Sequence, residues 1–387
     1  MTQLQWGLWP WPFFDASHEA LAQRIIAWNT ENHAKTYPDM HTECRAMVRS
    51  FGAAGLLDYV VPQGDAPFDV RSVCLIREGL TYQHALADAM FAMQGIGTMA
   101  IRRFGSAAQR EQYLEPCRRG ERIAAFALTE PETGSDVASM TTTATLDGDH
   151  YVINGAKTLI SNAGMADHYL LTARTGEAPG AKGLSMFIVD AGTPGLVVGD
   201  PIEFIAPHPA AGLSFSNCRV PVANLIGEAG QGFKAAMAAF DIFRPSVGAA
   251  GVGLARRALH ETLAHTNRRR LFGKPMHGLE GVQMALADMA TDLEGAALLV
   301  YRAAWAHDVR GERGAYEACM AKLAGSEAAG RIVDRAVQLL GGQGVTRGNI
   351  IEQLYREARP MRIYEGASEI QKLVIARNLI KNSALLG

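Results

Sequence analysis

The chain has no excess of either charge: 37 Lys and Arg stand against 39 Asp and Glu in 387 residues. Nothing therefore favours a nucleic-acid or acidic partner. It has no apolar run of about 18 residues, so no membrane span is expected. Paired cysteine spacing is also missing. Cys44, Cys74, Cys117, Cys218 and Cys319 are scattered without CxxC or Cys/His patterns, which argues against a disulfide framework or a metal site and suits a reducing, cytoplasmic compartment. The opening MTQLQWGLWPWPFF has no basic segment leading into an apolar one, so no secretory signal is expected. Trp6, Trp9 and Trp11 have no accompanying basic face, and are expected to dock a terminal arm onto the body rather than enter lipid. No repeat period or low-complexity tract interrupts the chain.

What is present is core-forming material, 48% hydrophobic residues, spread over a length that suits two or three domains. Residues 1–119 read as helical: SHEALAQRIIAWNTEN and AAQREQYLEPCRRGE space their apolar residues as helices do, with Ser17 and Ser106 as expected N-caps. Residues 120–228 change to short β runs punctuated by Gly, Pro, Asp and Asn, compact enough for a barrel or sandwich. Asp147-Gly148 and Asn154-Gly155 are expected turns on either side of a short strand. Residues 229–387 return to long helices, the last expected over residues 368–383. The class is α+β, mostly α. SVGAAGVGLA holds six Ala or Gly in ten; such small residues permit close helix approach, within one subunit or between subunits.

Several stretches could carry chemistry, and each has an ordinary structural alternative. FALTEPETGSDVAS (126–139) offers backbone N–H groups and hydroxyls over a bend, suited to a heterocycle or a phosphate, or is a plain turn. In KTLISNAG (157–164), Ser161 is a donor to a ring nitrogen or a strand-end hydroxyl. Asp241 and Arg244 in DIFRP form an i,i+3 pair. NRRRLFGKP (267–275) ends a helix with arginines, which suits both the helix dipole and a pyrophosphate. QLLGGQGVTRG (338–348) does not follow a strand, so a Rossmann assignment fails and a helix C-cap remains. Glu365, in RPMRIYEGASEIQ, is either a cap or a base.

Together and in this order, ALTEPETGSD, INGAKTLISNAG, CRVPVANLIGEAGQGF, RRLFGKP and QLLGGQGV…RIYEGASEIQ resemble the acyl-CoA dehydrogenase flavoenzymes over residues 18–380. The resemblance implies an N-terminal helical domain, a central β-barrel-like domain and a C-terminal four-helix bundle. It implies FAD held by Phe126, Leu128, Thr129, Gly134, Ser135, Leu159, Ile160 and Ser161 at its flavin end. Arg269, Phe272, Gln338, Leu339, Gly341 and Gly342 would hold the adenosine diphosphate end from a neighbouring subunit, with Ala367 and Glu369 also touching the cofactor. Ser135, Asp241, Arg244, Tyr364 and Gly366 would meet substrate, and Glu365 would be the catalytic base. Relatives that place the base on the earlier helix have it where this chain has Phe243. An acyl-CoA substrate, an electron-transferring flavoprotein as partner and a homotetramer follow from the same resemblance. So do two alternatives, an oxygen-using oxidase or monooxygenase on the same fold and a non-catalytic flavin- or CoA-binding relative. Leu159, Glu280 and Ala367 depart from the family pattern, which has an aromatic, Gln and Thr there. His208, in the unusual loop PIEFIAPHPAAGLSF, is set aside as structural. Ala92, Met93 and Ile96 are expected near the far end of the acyl chain, or simply in the core.

Overall fold

The computed structural model describes residues 11–32, 38–176, 178–311 and 314–383; Trp6 and Trp9 lie outside them. Ten helices and nine strands are described: α1 (Ala16–Asn32), α2 (Met40–Ala53), α3 (Val70–Gln83), α4 (Ala85–Phe104), α5 (Ala107–Arg118), then β1 (Ala124–Ala127), β2 (Thr143–Asp147), β3 (His150–Ser161), β4 (His168–Arg174), β5 (Leu184–Asp190), β6 (Leu196–Pro201) and β7 (Ala210–Pro221). There follow α6 (Gly232–Arg268), a two-stranded hairpin β8 (Arg270–Leu271) and β9 (Lys274–Pro275), α7 (Glu280–Arg310), α8 (Ala315–Leu340), α9 (Ile350–Ala358) and α10 (Ser368–Ser383). The order of helices, β segment and helices is the one the sequence pattern predicts.

The chain forms two compact units that do not follow chain order: one holds residues 1–35, 69–88 and 241–387, the other residues 36–68 and 89–240. In the second unit the strands form one seven-stranded sheet in the order β1-β4-β2-β3-β7-β6, with β5 pairing with β4. β4 carries β5 antiparallel on one edge, and β1 in parallel register (Ala124 opposite His168) on the other. Leu170, Leu184, Met186 and Ile188 of the sheet pack on Ala100 and Ile101 of α4, Tyr113 of α5 and Ala235 and Ala236 of α6, making this unit's core. α5 begins as predicted. The Ser106 side chain accepts from the Gln109 N–H while Gln109 returns a bond to the Ser106 N–H, a reciprocal capping box.

Two local expectations are corrected. α1 is capped by Asp15 and not by Ser17: the Asp15 carboxylate accepts from the Ser17 N–H at 3.1 Å, one residue before the helix. Asn154-Gly155 is not a turn. The hairpin reverses at Gly148-Asp149, between Asp147 and its partner His150, and β3 then runs unbroken through Gly155. The register against β7 shifts between Ile153 and Gly155, so this glycine marks a bulge. Its φ is +143°, and an added Cβ would lie 2.7 Å from Thr142 Cα.

In the first unit the small residues act within the chain. An added Cβ at Gly251 would lie 2.5 Å from the Gly325 carbonyl oxygen, and one at Gly248 would meet that of Ala321. α6 and α8 therefore cross backbone to backbone. Trp11 packs edge-on against Tyr301 with ring centroids 6.4 Å apart, as expected of a docked arm. Asp308 of α7 accepts from the Val70 and Arg71 N–H groups, both at 2.9 Å, and so caps α3 from another helix.

Candidate active site

The α6–α8 crossing sets up the first unit's polar centre. Arg244 lies one turn before Gly248 on α6, and Lys322 follows Ala321 on α8; both are buried. From α3, the buried Arg77 forks onto Asp88 at 2.7 and 2.9 Å and reaches Ser246 Oγ at 3.0 Å. Burial works against the Arg77 charge, but Asp88 more than offsets it and the guanidinium is held above its ordinary range. Asp241 and Arg244 stand 3.7 Å apart as the predicted i,i+3 pair.

Glu365 lies between a short 3₁₀ turn and α10, in a left-handed conformation with φ +52°, followed by Gly366 at φ +92°. Such a backbone costs a non-glycine residue about 1–2 kcal/mol. Its Oε2 is shut off from solvent and accepts no hydrogen bond among the described residues. Burial raises its pKa, opposed by Arg77, Lys322 and Arg244 and assisted by Asp88. The φ at Gly366 favours glycine, and a Cβ there would lie 2.6 Å from Gln371 Nε2 and displace that side chain. Tyr364 beside it is 38% exposed, and Glu369 is exposed at the start of α10. Ala367 accepts the first helical bond of α10, from the Gln371 N–H at 3.1 Å.

In the second unit the structure brings the two β-segment motifs together. The Thr158 N–H donates to the Thr129 carbonyl at 2.9 Å, setting the 126–135 loop beside β3. Leu128 and Ile160 turn their side chains into the core, and Phe126 packs edge-on against Phe240 at 5.9 Å. Gly134 and Ser135 are exposed, and an added Cβ at Gly134 meets nothing within 4 Å. The register of β3 against β7 slips again between Lys157 and Ile160, with Leu159 at φ +56° and 51% exposed. That bulge re-aims the strand end. The loop is anchored by Glu130, whose carboxylate accepts from the Thr141 N–H (2.6 Å) and hydroxyl (2.9 Å), the Thr142 N–H (2.9 Å) and Lys157 Nζ (2.9 Å). Burial works against the Glu130 charge, but these donors outweigh it and hold the carboxyl down to about 2. Burial pushes the Lys157 ammonium down to about 8, with Glu130 opposing.

Ser161 Oγ lies 2.7 Å from His208 Nε2. Burial lowers that imidazole to about 4, so it is neutral at ordinary pH and its tautomer decides whether the serine hydroxyl donates or accepts. Sequence reasoning set His208 aside, and it missed Arg77, Asp88, Lys322, Gln371, Glu130 and Lys157. One signal was readable: Lys322 is a lone charge on the face that carries Ala318, Cys319, Ala321 and Gly325.

The remaining predicted residues sit apart on the first unit. Phe272 is 91% exposed at φ +50° on the β8–β9 hairpin, beside the exposed Arg269. Gln338, Leu339, Gly341 and Gly342 lie at the end of α8, where Gly341 is the C-cap at φ +60° and ψ −137°; added Cβ atoms at Gly341 and Gly342 meet nothing within 4 Å. No hydrogen bond or ion pair joins either group to the Glu365 loop among the described residues. Glu280, a departure from the family pattern, is the first residue of α7, where a carboxylate favours the helix dipole.

Profiles described as the N-terminal, middle and C-terminal domains of acyl-CoA dehydrogenase match residues 15–121, 125–218 and 230–380. The chain is 38% identical to a mitochondrial short-chain specific acyl-CoA dehydrogenase of Mus musculus over 342 residues, 87% of this chain and 83% of that one. It is 43% identical to an acryloyl-CoA reductase (NADH) of Anaerotignum propionicum over 291 residues, 74% and 73% of the two chains. A solved glutaryl-CoA dehydrogenase of Mycobacterium smegmatis in complex with FADH2 superimposes with a TM-score of 0.86 at 26% identity, covering 95% of each chain. The chain belongs to the acyl-CoA dehydrogenase family of flavoprotein oxidoreductases.

Proposed function

We propose that the protein removes one hydrogen from each of the α and β carbons of an acyl-CoA thioester, giving the trans-2-enoyl product, with Glu365 as the base. The observation that carries this is the Glu365 carboxylate, buried, without a hydrogen-bond partner on Oε2 and raised in pKa among three cations. A carboxylate solvated by water is too weak to take a thioester α-proton. One stripped of hydrogen bonds is a stronger base, and the surrounding Arg77, Arg244 and Lys322 keep it ionised between turnovers. Asp241 and Arg244 offer a polar contact for the thioester arm, and Tyr364 and Gly366 a wall and room beside the carboxylate.

FAD is the cofactor in this proposal, and when bound it supplies the acceptor for the hydride from the β carbon. The residues present suit it: Thr133 Oγ1 is buried with no hydrogen-bond partner among the described residues, and the backbones of Gly134, Gly341 and Gly342 are open. Phe126, Leu128, Thr129, Gly134, Ser135, Leu159, Ile160 and Ser161 would hold its ring end. Arg269, Phe272, Gln338, Leu339, Gly341 and Gly342 would hold its diphosphate end from a neighbouring copy in a homotetramer, with Ala367 and Glu369 as further contacts. An electron-transferring flavoprotein then takes the electrons, and the setting is cytoplasmic.

The test is Glu365→Gln. It is expected to give yellow, FAD-loaded protein that acyl-CoA no longer bleaches under anaerobic conditions, a loss of about 10²–10⁴-fold or more. Undiminished bleaching would move the base elsewhere. The reverse reaction, reduction of a 2-enoyl thioester, is a second reading supported by the acryloyl-CoA reductase relative. It uses the same residues, with the protonated Glu365, favoured by its raised pKa, returning the α-proton. Reduced enzyme that turns over acryloyl-CoA faster than oxidised enzyme turns over propionyl-CoA would select it.

A further inference from the structure

Two successive left-handed residues, Glu365 and Gly366, persist only where the surroundings over-determine them. What determines them here is a pair of side chains outside the loop. Lys322 Nζ donates to the Gly366 carbonyl at 2.9 Å. Gln371 Nε2, one turn into α10, donates to the same carbonyl at 2.8 Å and to that of Glu365 at 3.2 Å. Both side chains are fully buried. Together they fix the two peptide planes that follow the Glu365 Cα, and with them the direction of its side chain.

Lys322 is the less expected of the two. A buried ammonium is costly, and those in proteins are normally matched by a carboxylate at contact distance. Lys157 in the other unit is such a case, at 2.9 Å from Glu130. Lys322 makes no salt bridge within 4 Å among the described residues; its hydrogen bond goes to a neutral carbonyl instead. A neutral amide would hold the carbonyl equally well, so clamping alone does not explain the charge. The groups facing Glu365 are Arg77 from α3, Asp88 from α4, Arg244 from α6, Lys322 from α8 and Tyr364 on its own loop. Arg77 is occupied by Asp88, and Arg244 has Asp241 as an ion-pair neighbour. Among the anions that act on Lys322, Glu365 comes first and Glu327, already paired with Arg362, second.

We propose that Lys322 is the positioning residue for Glu365: it holds the Gly366 carbonyl, and its charge, in no salt bridge, keeps the carboxylate ionised beside the apolar acyl chain. This rests on the proposed role of Glu365 as the base.

The experiment measures single-turnover anaerobic flavin bleaching by butyryl-CoA against pH in four variants, with melting temperature and bound FAD checked for each. Lys322→Gln keeps a donor and loses the charge. Its acid limb is expected to move to higher pH by about one to three pH units, as for loss of a cation at close range. Lys322→Arg keeps the charge, and its limb is expected to stay where the wild type's lies. Gln371→Leu loosens the clamp without touching charge, and is expected to lower the plateau at least tenfold with the limb unmoved. Folded, FAD-loaded Lys322→Gln with an unmoved limb overturns the proposal, as does a Gln371→Leu limb that moves in the same way. Should Lys322→Gln fail to fold, Lys322→Arg and Gln371→Leu decide: a moved limb in either one overturns it. Glu365→Gln that still bleaches overturns the base assignment itself, independently of these outcomes.

Discussion

Glu130 and Glu365 are two carboxylates drawn into the protein and treated in opposite ways. Glu130 accepts four hydrogen bonds, one of them from a buried ammonium, and its carboxyl is held down to about 2. Glu365 has three cations near it, yet its pKa is raised and its Oε2 accepts nothing among the described residues. The nearby cations lower the Glu365 pKa without outweighing its burial, whereas the direct donors on Glu130 do outweigh burial, because they replace the water that burial removes. Glu130 holds a loop, and Glu365, poor in partners, is the carboxylate proposed to take a proton.

That contrast can be broken from either side. Lys157→Met leaves three donors but strands a buried anion. It is expected to cost about 3–5 kcal/mol in chemical denaturation; a loss under about 1 kcal/mol would mean that the backbone donors suffice. Glu365→Asp keeps the charge and retracts it, and is expected to slow anaerobic bleaching about 100-fold, the scale of a misplacement near 1 Å. An unchanged rate would mean that the carboxylate's position is not what the site uses. Glu130 also sets a pH signature. Its folded pKa lies below the ordinary 4.5, so the stability it contributes is present above that value and lost as pH falls through about 2. Glu130→Gln should therefore flatten the acid side of the melting-temperature curve below pH about 4.5, while stability near neutrality drops. The smallest effect is expected from His208→Gln, which keeps a hydrogen-bonding group on Ser161: FAD affinity by fluorescence should fall less than about tenfold, since one hydrogen bond is worth about 0.5–1.5 kcal/mol. It should show no pH dependence between 5 and 9, because the imidazole titrates near 4.

One further measurement separates the proposed dehydrogenase from an oxidase. The reduced protein is expected to reoxidise slowly in air. Rapid reoxidation with stoichiometric peroxide would assign an oxidase instead.

Much of this was legible in the sequence because it is written locally. Helical and β segments follow from the spacing of apolar residues, and the Ser106 cap and α10 over Ser368–Ser383 from signals within a few positions. Glu365 was found because its neighbours form a motif. The errors were local too: Asp15 outcompeted Ser17 as a cap, and Asn154-Gly155, a sound hairpin signal, was absorbed as a bulge because β7 pairs along the whole of β3.

The sequence by itself determined the order of elements, the family and the residue expected to act as base, since each depends on residues near one another in the chain. Tertiary structure alone decided which buried charges have partners. Lys322 meets Gly366 across 44 residues, Lys157 meets Glu130 across 27, and Ser161 meets His208 across 47. Hydrogen bonding and desolvation act over a few ångströms, and only the folded chain sets which groups come that close.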